Sequence, residues 1–266
     1  DVAIIAALPE EMAQFTAALG TNKPRRIPLH ENRYEYVVLE AQTGLKRVLL
    51  TTISDQGTIA AAVRTWDVIH RWRPRHIILV GVAGGNPENG LQDLGDVVIG
   101  NWVVGYERGK LTDGEFTMDL MTYRADDTLL RHATSLKNGD GWPRHISIPK
   151  PSTPSDPQRL CYVHDDLAIA SGNKLVLDAA FFKDLTNRAS RKIEAIEMEA
   201  DGVAYACERA EISVKVLVIK GIMDKSVPGR DQMDSDPITA KQLKKEWMNY
   251  AARAAAEFAI DVVQAM

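Results

Sequence analysis

The chain has 266 residues and a formal net charge of −4, from 36 acidic and 32 basic side chains. This balance argues against a general nucleic-acid or membrane-binding surface, because both need a basic surplus. No apolar run approaches the roughly 20 residues of a membrane-spanning helix, and the two cysteines, Cys161 and Cys207, lack metal or redox spacing. We therefore expect a cytoplasmic protein that binds neither nucleic acid nor membrane.

The first part of the chain predicts strands alternating with helices. An apolar strand opens "DVAIIAALPEEMAQF" and runs into a helix, whose first turn suits Pro9 because no N–H is needed there. "YEYVVLEAQTG" and "HIILVGVAGG" are typical of strands, the latter buried on both faces. Between them "SDQGTIAAAVRTWDVIHRW" predicts a helix. Its buried face is expected to carry Ile59, Val63, Trp66 and Ile69.

The second part continues the alternation. "DLGDVVIGNWVVGYERG" and "VKVLVIKGIMD" predict strands, whereas "DDTLLRHATSL", "LVLDAAFFKDL" and "IEMEADGVAYACERA" predict helices. Residues 241–266 predict a long final helix. Its buried stripe is expected to consist of Trp247, Ala251, Ala255, Phe258 and Val262. Such alternation indicates an α/β layered fold around a parallel or mixed sheet.

One segment interrupts this rhythm. Residues 137–159 hold five of the twelve prolines and show little periodicity. We interpret them as a surface loop inserted into a single domain that spans residues 1–266.

Four short motifs follow predicted strand ends: "PEE", "GVAGG", "SGNKL" and "MDKS". Ligands of α/β sheets gather at the carboxyl ends of strands, so this shared placement predicts one binding site. "GVAGG" matches neither a dinucleotide loop nor a phosphate-cradling loop.

The residue types limit the chemistry of that site. The six histidines are scattered without metal-ligand spacing, and no G-x-S-x-G motif is present. We therefore expect no metal and no cofactor, and any catalysis has to come from carboxylates. The candidates are Glu10, Glu11, Glu197, Glu199 and Asp224.

These acids also have a structural interpretation, because acids in the first turn of a helix complement its dipole. Glu10 is expected to face solvent. Glu197 is expected to cap the following helix, and it also remains a candidate substrate-binding residue.

The ordered motifs resemble the nucleoside phosphorylase superfamily, and within it most closely the methylthioadenosine/S-adenosylhomocysteine nucleosidases. The motifs are "IIAALPEEM", "LVGVAGG", "DLGDVVIG", "IASGNKLV", "AIEMEADGVAYAC" and "VIKGIMD", in the family's order from Ile4 to Asp224. The resemblance implies a three-layer α/β/α fold with a mixed, partly barrel-like sheet. It also implies a homodimer or higher oligomer.

The resemblance also implies roles for individual residues. Glu11 matches the glutamate that activates the attacking water, and Asp224 matches the acid that gives a proton to purine N7. Met198 and Glu199 match the pair at the ribose, with the glutamate on the 2′- and 3′-hydroxyls. Ala83, Gly84, Leu175 and Val176 match positions around the sugar and the base.

Several residues depart from the family pattern. Asn173 occupies a position where the family has an acid, and Leu175 replaces an aromatic residue that stacks on the base. Val82 lies where the family often has serine or threonine. Lys220 and Met223 lie where arginine and serine are common.

The implied function is hydrolysis of the N-ribosidic bond of a purine nucleoside, with adenine as the expected base. Two carboxylates in "PEE" would repel phosphate, which favours water over phosphate as the attacking group. A phosphate-dependent phosphorylase, a nucleoside-sensing domain and a nucleotide nucleosidase of AMP or ATP type within a larger protein stay open. The last is suggested by Lys174, Lys220, Lys225 and Arg230, which would hold a 5′-phosphate.

Overall fold

The structure is a computed structural model that describes residues 1–28, 34–139, 141–151, 158–226 and 237–266. The elements up to residue 105 are β1 (Val2–Ala6), α1 (Pro9–Ala18), β2 (Arg25–Arg26), β3 (Tyr34–Ala41), β4 (Gly44–Thr52), α2 (Thr58–Trp72), β5 (His76–Gly85) and β6 (Val97–Gly105). The later elements are β7 (Gly109–Thr112), β8 (Glu115–Met118), β9 (Met121–Arg124), α3 (Asp127–Lys137), β10 (Val163–Ser171), α4 (Ala179–Arg188), β11 (Ile193–Glu197), α5 (Ala200–Glu208), β12 (Lys215–Asp224) and α6 (Pro237–Ala265). No helix in these ranges is both long and apolar enough to cross a membrane.

Ten strands form one mixed sheet in the order β11-β10-β6-β12-β5-β1-β4-β3-β2, with β9 on β6. The central strands β4, β1, β5 and β12 are parallel, whereas β12 and β6 are antiparallel. β11 also pairs with the end of β5, which closes five strands into a small barrel. The predicted α/β fold with a mixed, partly barrel-like sheet is therefore confirmed.

Helices cover the sheet in two groups. α1 and α3 pack against α6, while α2 packs against α5. The α2–α5 crossing is close because Gly202 has no side chain: a Cβ there would collide with the carbonyl oxygen of Thr58. This crossing sets the start of α2 beside the start of α5.

The predicted stripe of α6 is confirmed. Trp247 is 3% exposed, and the other four members of the stripe are fully buried. Four of them belong to the main core and Ala251 lies against Gly221, where α6 contacts β12 and β5.

The predicted buried face of α2 is wrong for three of its four residues. Ile59, Val63 and Trp66 are 78%, 66% and 49% exposed, and only Ile69 is buried. The buried side instead carries mainly smaller residues, Ala61, Thr65 and Val68. The close crossing with α5 leaves room only for such residues, so the larger apolar side chains point outwards.

A second correction concerns the stretch that contains Glu197 and Glu199. Residues Ile193–Glu197 form strand β11, and the helix begins only at Ala200. This short strand runs directly into the helical pattern of α5, so its apolar residues, Ile193 and Ala195, were assigned to the helix. Strand β4 and the hairpin β7–β8 were likewise absent from the prediction.

The proline-rich segment packs against α6 where it is described. Trp142 is buried against Phe258, with ring centroids 5.2 Å apart, and its Nε1 donates to Asp261 at 3.0 Å. Apart from the end of α3 at Lys137 and an isolated bridge between Arg144 and Cys161, its described residues contain no helix or strand. Residues 140 and 152–157 lie outside the described part of the chain.

Candidate functional site

A cavity of about 280 Å³ opens where β1, β5, β11 and β12 end. It lies near the lower end of the size range of small-molecule sites, roughly 300–1,000 Å³. All nine residues predicted from the sequence line this one cavity: Glu11, Ala83, Gly84, Leu175, Val176, Glu197, Met198, Glu199 and Asp224. The sequence did not identify Leu8, Gln56, Lys244 and Met248, which line it as well.

Glu11 lies in the first turn of α1, directly after β1. Its Oε2 accepts a hydrogen bond from the Leu8 N–H and its Oε1 accepts one from the Val82 N–H, each at 2.9 Å. The residue is 4% exposed, and burial raises the pKa of its carboxyl above the usual range, although Lys220 opposes this. Two backbone donors thus fix this carboxylate between the end of β1 and the last part of β5.

Glu197 ends β11 and caps α5. Its two oxygens accept hydrogen bonds from the backbone N–H groups of Glu199 and Ala200, at 2.9–3.1 Å. These N–H groups belong to the helix start and have no partner inside the helix. The geometry supports the expected capping interpretation of Glu197.

Glu199 occupies the N-cap position of α5, and its side chain points away from the helix. Its Oε1 accepts a hydrogen bond from the Gly57 N–H at 3.1 Å, which joins α5 to the start of α2. Burial raises the pKa of Glu199 to about 7, with Lys220 acting against and Glu197 adding to this shift. Its carboxyl therefore titrates near neutral pH.

Asp224 is the last residue of β12 and faces the glycine loop. Its Oδ1 accepts a hydrogen bond from the Ser226 N–H at 2.8 Å. A Cβ at Gly84 would lie only 2.9 Å from the same oxygen, so glycine is needed for this close approach. The requirement gives a physical reason for a glycine at this position of "GVAGG", beside the end of β12.

The basic residues suggested for a 5′-phosphate are mostly engaged elsewhere. Lys220 is fully buried behind the carboxylates, so the prediction that it contacts a substrate phosphate is wrong. Lys225 donates from Nζ to the carbonyl oxygens of Asn89 and Gln92, at 3.0 and 2.7 Å. Lys174 pairs with Glu107 and also lines the cavity. Arg230 lies outside the described residues.

Asn173, which departs from the family pattern, links two walls of the site. Its Oδ1 accepts a hydrogen bond from the Thr58 N–H at 2.9 Å, and its own N–H donates to Glu107. The loop after β10 is thereby tied to the start of α2. Leu175, in the same loop, is 65% exposed.

Within the described ranges, no group of three or more histidine, cysteine, aspartate or glutamate side chains is arranged to hold a metal ion. The cavity is instead defined by carboxylates, backbone N–H groups and apolar side chains. Such a site can hold a small polar molecule, accept its hydroxyl protons and exchange protons with it.

Comparison with known proteins places this architecture in a family. Residues 1–264 match the profile of the phosphorylase superfamily, and the chain belongs to that superfamily. It is 28% identical over 254 residues to a 5′-methylthioadenosine/S-adenosylhomocysteine nucleosidase of Actinobacillus succinogenes, covering 91% of this chain and 94% of that one.

A second relative is much longer. The chain is 24% identical over 223 residues to a death domain-containing ATP nucleosidase of Amphimedon queenslandica, covering 79% of this chain. The match spans only 37% of that relative's length. Another curated relative, an uncharacterised protein of Sinorhizobium fredii, is matched over 41% of its length.

The fold agrees with solved structures. The nucleosidase from Neisseria meningitidis in complex with methylthio-immucillin-A superimposes with a TM-score of 0.70 at 20% identity, covering 99% of this chain and 98% of that one. At this level of identity the likeness shows the fold alone.

Proposed function

We propose that this chain hydrolyses the N-ribosidic bond of a purine nucleoside, with adenine as its preferred base, and releases the free base and a ribose derivative. The observation that carries the proposal is that Glu11, Glu199 and Asp224 line one cavity although they lie on different elements. The nucleosidase relative supports it.

Each carboxyl group has a separate task in this reaction. Asp224 gives its proton to N7 of the purine, so that the base leaves as a neutral molecule. Glu11 takes a proton from the water that attacks C1′, as a general base does in an inverting glycosidase. Glu199 accepts the 2′- and 3′-hydroxyl protons in hydrogen bonds, and its charge stabilises the positive sugar of the transition state.

The charge of the cavity favours water over phosphate. Glu11, Glu197 and Glu199 are all buried at its wall, and a phosphate dianion there would be repelled. We therefore expect equal base release with and without phosphate when products are separated by chromatography. Release that requires phosphate and yields ribose 1-phosphate would show a phosphorylase instead.

A second candidate substrate class is a nucleotide with a 5′-phosphate chain. Lys174, in the loop after β10, and Lys244, on α6, both line the cavity. One relative is an ATP nucleosidase. If this candidate is correct, Lys244→Met lowers kcat/KM for ATP by about tenfold, from the loss of one charge-assisted contact, and leaves adenosine turnover unchanged. If the nucleoside is the substrate, adenosine or methylthioadenosine is cleaved and ATP is not.

The pH dependence follows from Glu199. Because its pKa is about 7 and Glu11, Glu197 and Lys220 surround it, its carboxyl is protonated below that pH and ionised above it. The proposed role needs the ionised form, so kcat/KM should rise as the pH increases through about 7. Glu199→Gln should lower kcat/KM and remove this rise, whereas Glu208→Gln, on the exposed end of α5, should keep it.

We also propose that the chain forms a homodimer through the exposed apolar face of α2. This face carries Ile59, Val63 and Trp66, and it adjoins Gln56, which also lines the cavity. A second copy seated there would lie next to the site and cover its entrance. A contiguous apolar patch of this kind is typical of a protein–protein interface.

Val63→Glu combined with Trp66→Glu should convert the dimer into a monomer, because two buried charges would replace apolar contacts. Light scattering coupled to size-exclusion chromatography measures this as a halved mass. The matched control is Leu45→Glu, which changes an exposed leucine near the start of β4 and should leave the mass unchanged. A monomeric wild type would contradict the proposed dimer.

The cysteines support a cytoplasmic location, which we propose as well. Cys161 and Cys207 are both free thiols and both buried. Free cysteines are usual in a reducing compartment.

A further inference from the structure

Lys220 lies on β12 opposite Gly81 of β5, and its side chain is fully buried. Its Nζ is 3.0 Å from Oε2 of Glu197 and 3.9 Å from Oε2 of Glu199. The contact with Glu197 is an ion pair at hydrogen-bond distance, whereas that with Glu199 is a longer ion pair. The ammonium has no access to solvent, and this burial makes a surface or solubility role for Lys220 untenable.

The carboxylates that face this ammonium come from separate elements. Glu11 belongs to α1, Glu197 ends β11 and Glu199 caps α5, and these three residues are 4%, 6% and 5% exposed. In the part of the chain that the structure describes, Lys220 is the only basic side chain in an ion pair with Glu197 or Glu199. The single positive charge of Lys220 therefore partly offsets the negative charge of three buried acids.

The electrostatic coupling acts in both directions. Burial alone lowers the pKa of Lys220, but Glu197, Glu199 and Glu11 outweigh it and hold the pKa above its usual range. In turn, Lys220 opposes the rise that burial causes in the pKa values of Glu11 and Glu199. Lys220 is thus a permanent cation, and the glutamates ionise more readily in its presence.

We propose that Lys220 is a positioning residue for the proposed reaction, whose buried ammonium fixes the carboxylates of Glu197 and Glu199 at the cavity wall and favours the ionised form of Glu199. The inference rests on the proposed function. Glu197 forms the ion pair with Lys220 and accepts hydrogen bonds from the backbone N–H groups of Glu199 and Ala200. Lys220 acts through this connection on the residue that meets the ribose and makes no contact with substrate itself.

The test uses three variants. Lys220→Met removes the charge at nearly constant length, and Lys220→Arg keeps the charge. Lys220→Met with Glu197→Gln removes one negative charge together with the positive one. The measurements are kcat/KM against pH and the midpoint of thermal unfolding at pH 5.5 and 8.5.

We expect Lys220→Met to lose about tenfold to a hundredfold in kcat/KM at pH 7, since a small displacement of a catalytic group has effects of this size. The rise of kcat/KM with pH should move upwards by about one unit or more, because the glutamates lose their counter-charge. Lys220→Arg should keep the pH midpoint of wild type. The double variant should lie between wild type and Lys220→Met.

The unfolding measurement is independent of activity. A carboxyl group whose pKa is raised in the folded protein makes the fold less stable as the pH rises. Lys220→Met should raise these pKa values further, so it should be destabilised more at pH 8.5 than at pH 5.5. If Lys220→Met does not fold at pH 8.5, the proposal requires that Lys220→Met folds at pH 5.5 or that the double variant folds at pH 8.5. Failure of both contradicts it.

An unchanged pH midpoint in Lys220→Met, or an equal loss of stability at both pH values, would show a packing role only and overturn the proposal. A wild type that cleaves no purine nucleoside or nucleotide would instead refute the proposed function. In that case the unfolding data still decide whether Lys220 controls the ionisation of the glutamates.

Discussion

Asp224→Asn is expected to lower the release of purine base by about 10²–10⁴-fold in kcat, the usual contribution of a general acid. Asparagine has nearly the same shape and can keep the hydrogen bond that Asp224 Oδ1 accepts from the Ser226 N–H. It has no acidic proton to give to N7, so the base would have to leave as an anion. Binding of the nucleoside should remain, and calorimetry measures it directly.

The matched control is Asp113→Asn. Asp113 lies in the exposed turn between β7 and β8 with φ at 52°, a conformation that asparagine tolerates well. This variant should retain wild-type turnover. If wild type binds adenine nucleosides, releases no base and binds them equally well as Asp224→Asn, the chain is a sensing domain and Asp224 has no catalytic role.

Glu11→Gln should lower kcat by about 10²–10⁴-fold through loss of the general base. Glutamine has one acceptor oxygen, whereas Glu11 uses both of its oxygens on the N–H groups of Leu8 and Val82. One buried N–H then faces the amide NH₂, which destabilises the fold by about 1–3 kcal/mol. Rapid-quench kinetics and thermal unfolding together separate the two effects.

Glu10→Gln is the matched control, since Glu10 is the preceding residue and is exposed. We expect unchanged turnover and stability for it. Glu11→Gln protein that is folded and turns over nucleoside at the wild-type rate would show that another group activates the water. In that case Glu11 would only join the end of β1 to β5.

The sequence predicted the parts of the fold that depend on strong, local patterns. The long helix α6 shows its buried stripe in its own residue spacing, β5 is a mostly apolar run, and in β12 only Lys220 interrupts the apolar residues between the two ends. The face of α2 was predicted incorrectly because its burial depends on a distant residue, Gly202 of α5. Periodicity shows which residues share a face, but the neighbour decides which face is buried.

The site shows the same division. The carboxylates could be placed together from sequence because their motifs follow strand ends and match a family pattern in order. The connection between Lys220 and Glu197 could not be predicted, since one lies inside a strand and the other ends a strand on the far side of the barrel. Lys244 and Met248 have the four-residue spacing of one helix face, and this was the signal that could have pointed to them.

The most direct measurement of the central claim is a crystal structure of Asp224→Asn with adenosine bound. We expect the purine N7 beside residue 224, the 2′- and 3′-hydroxyls on Glu199, and a water on Glu11 below C1′, each within about 2.6–3.2 Å. Adenosine bound outside this cavity, or bound inside it with any of these three side chains beyond reach, would contradict the proposed mechanism.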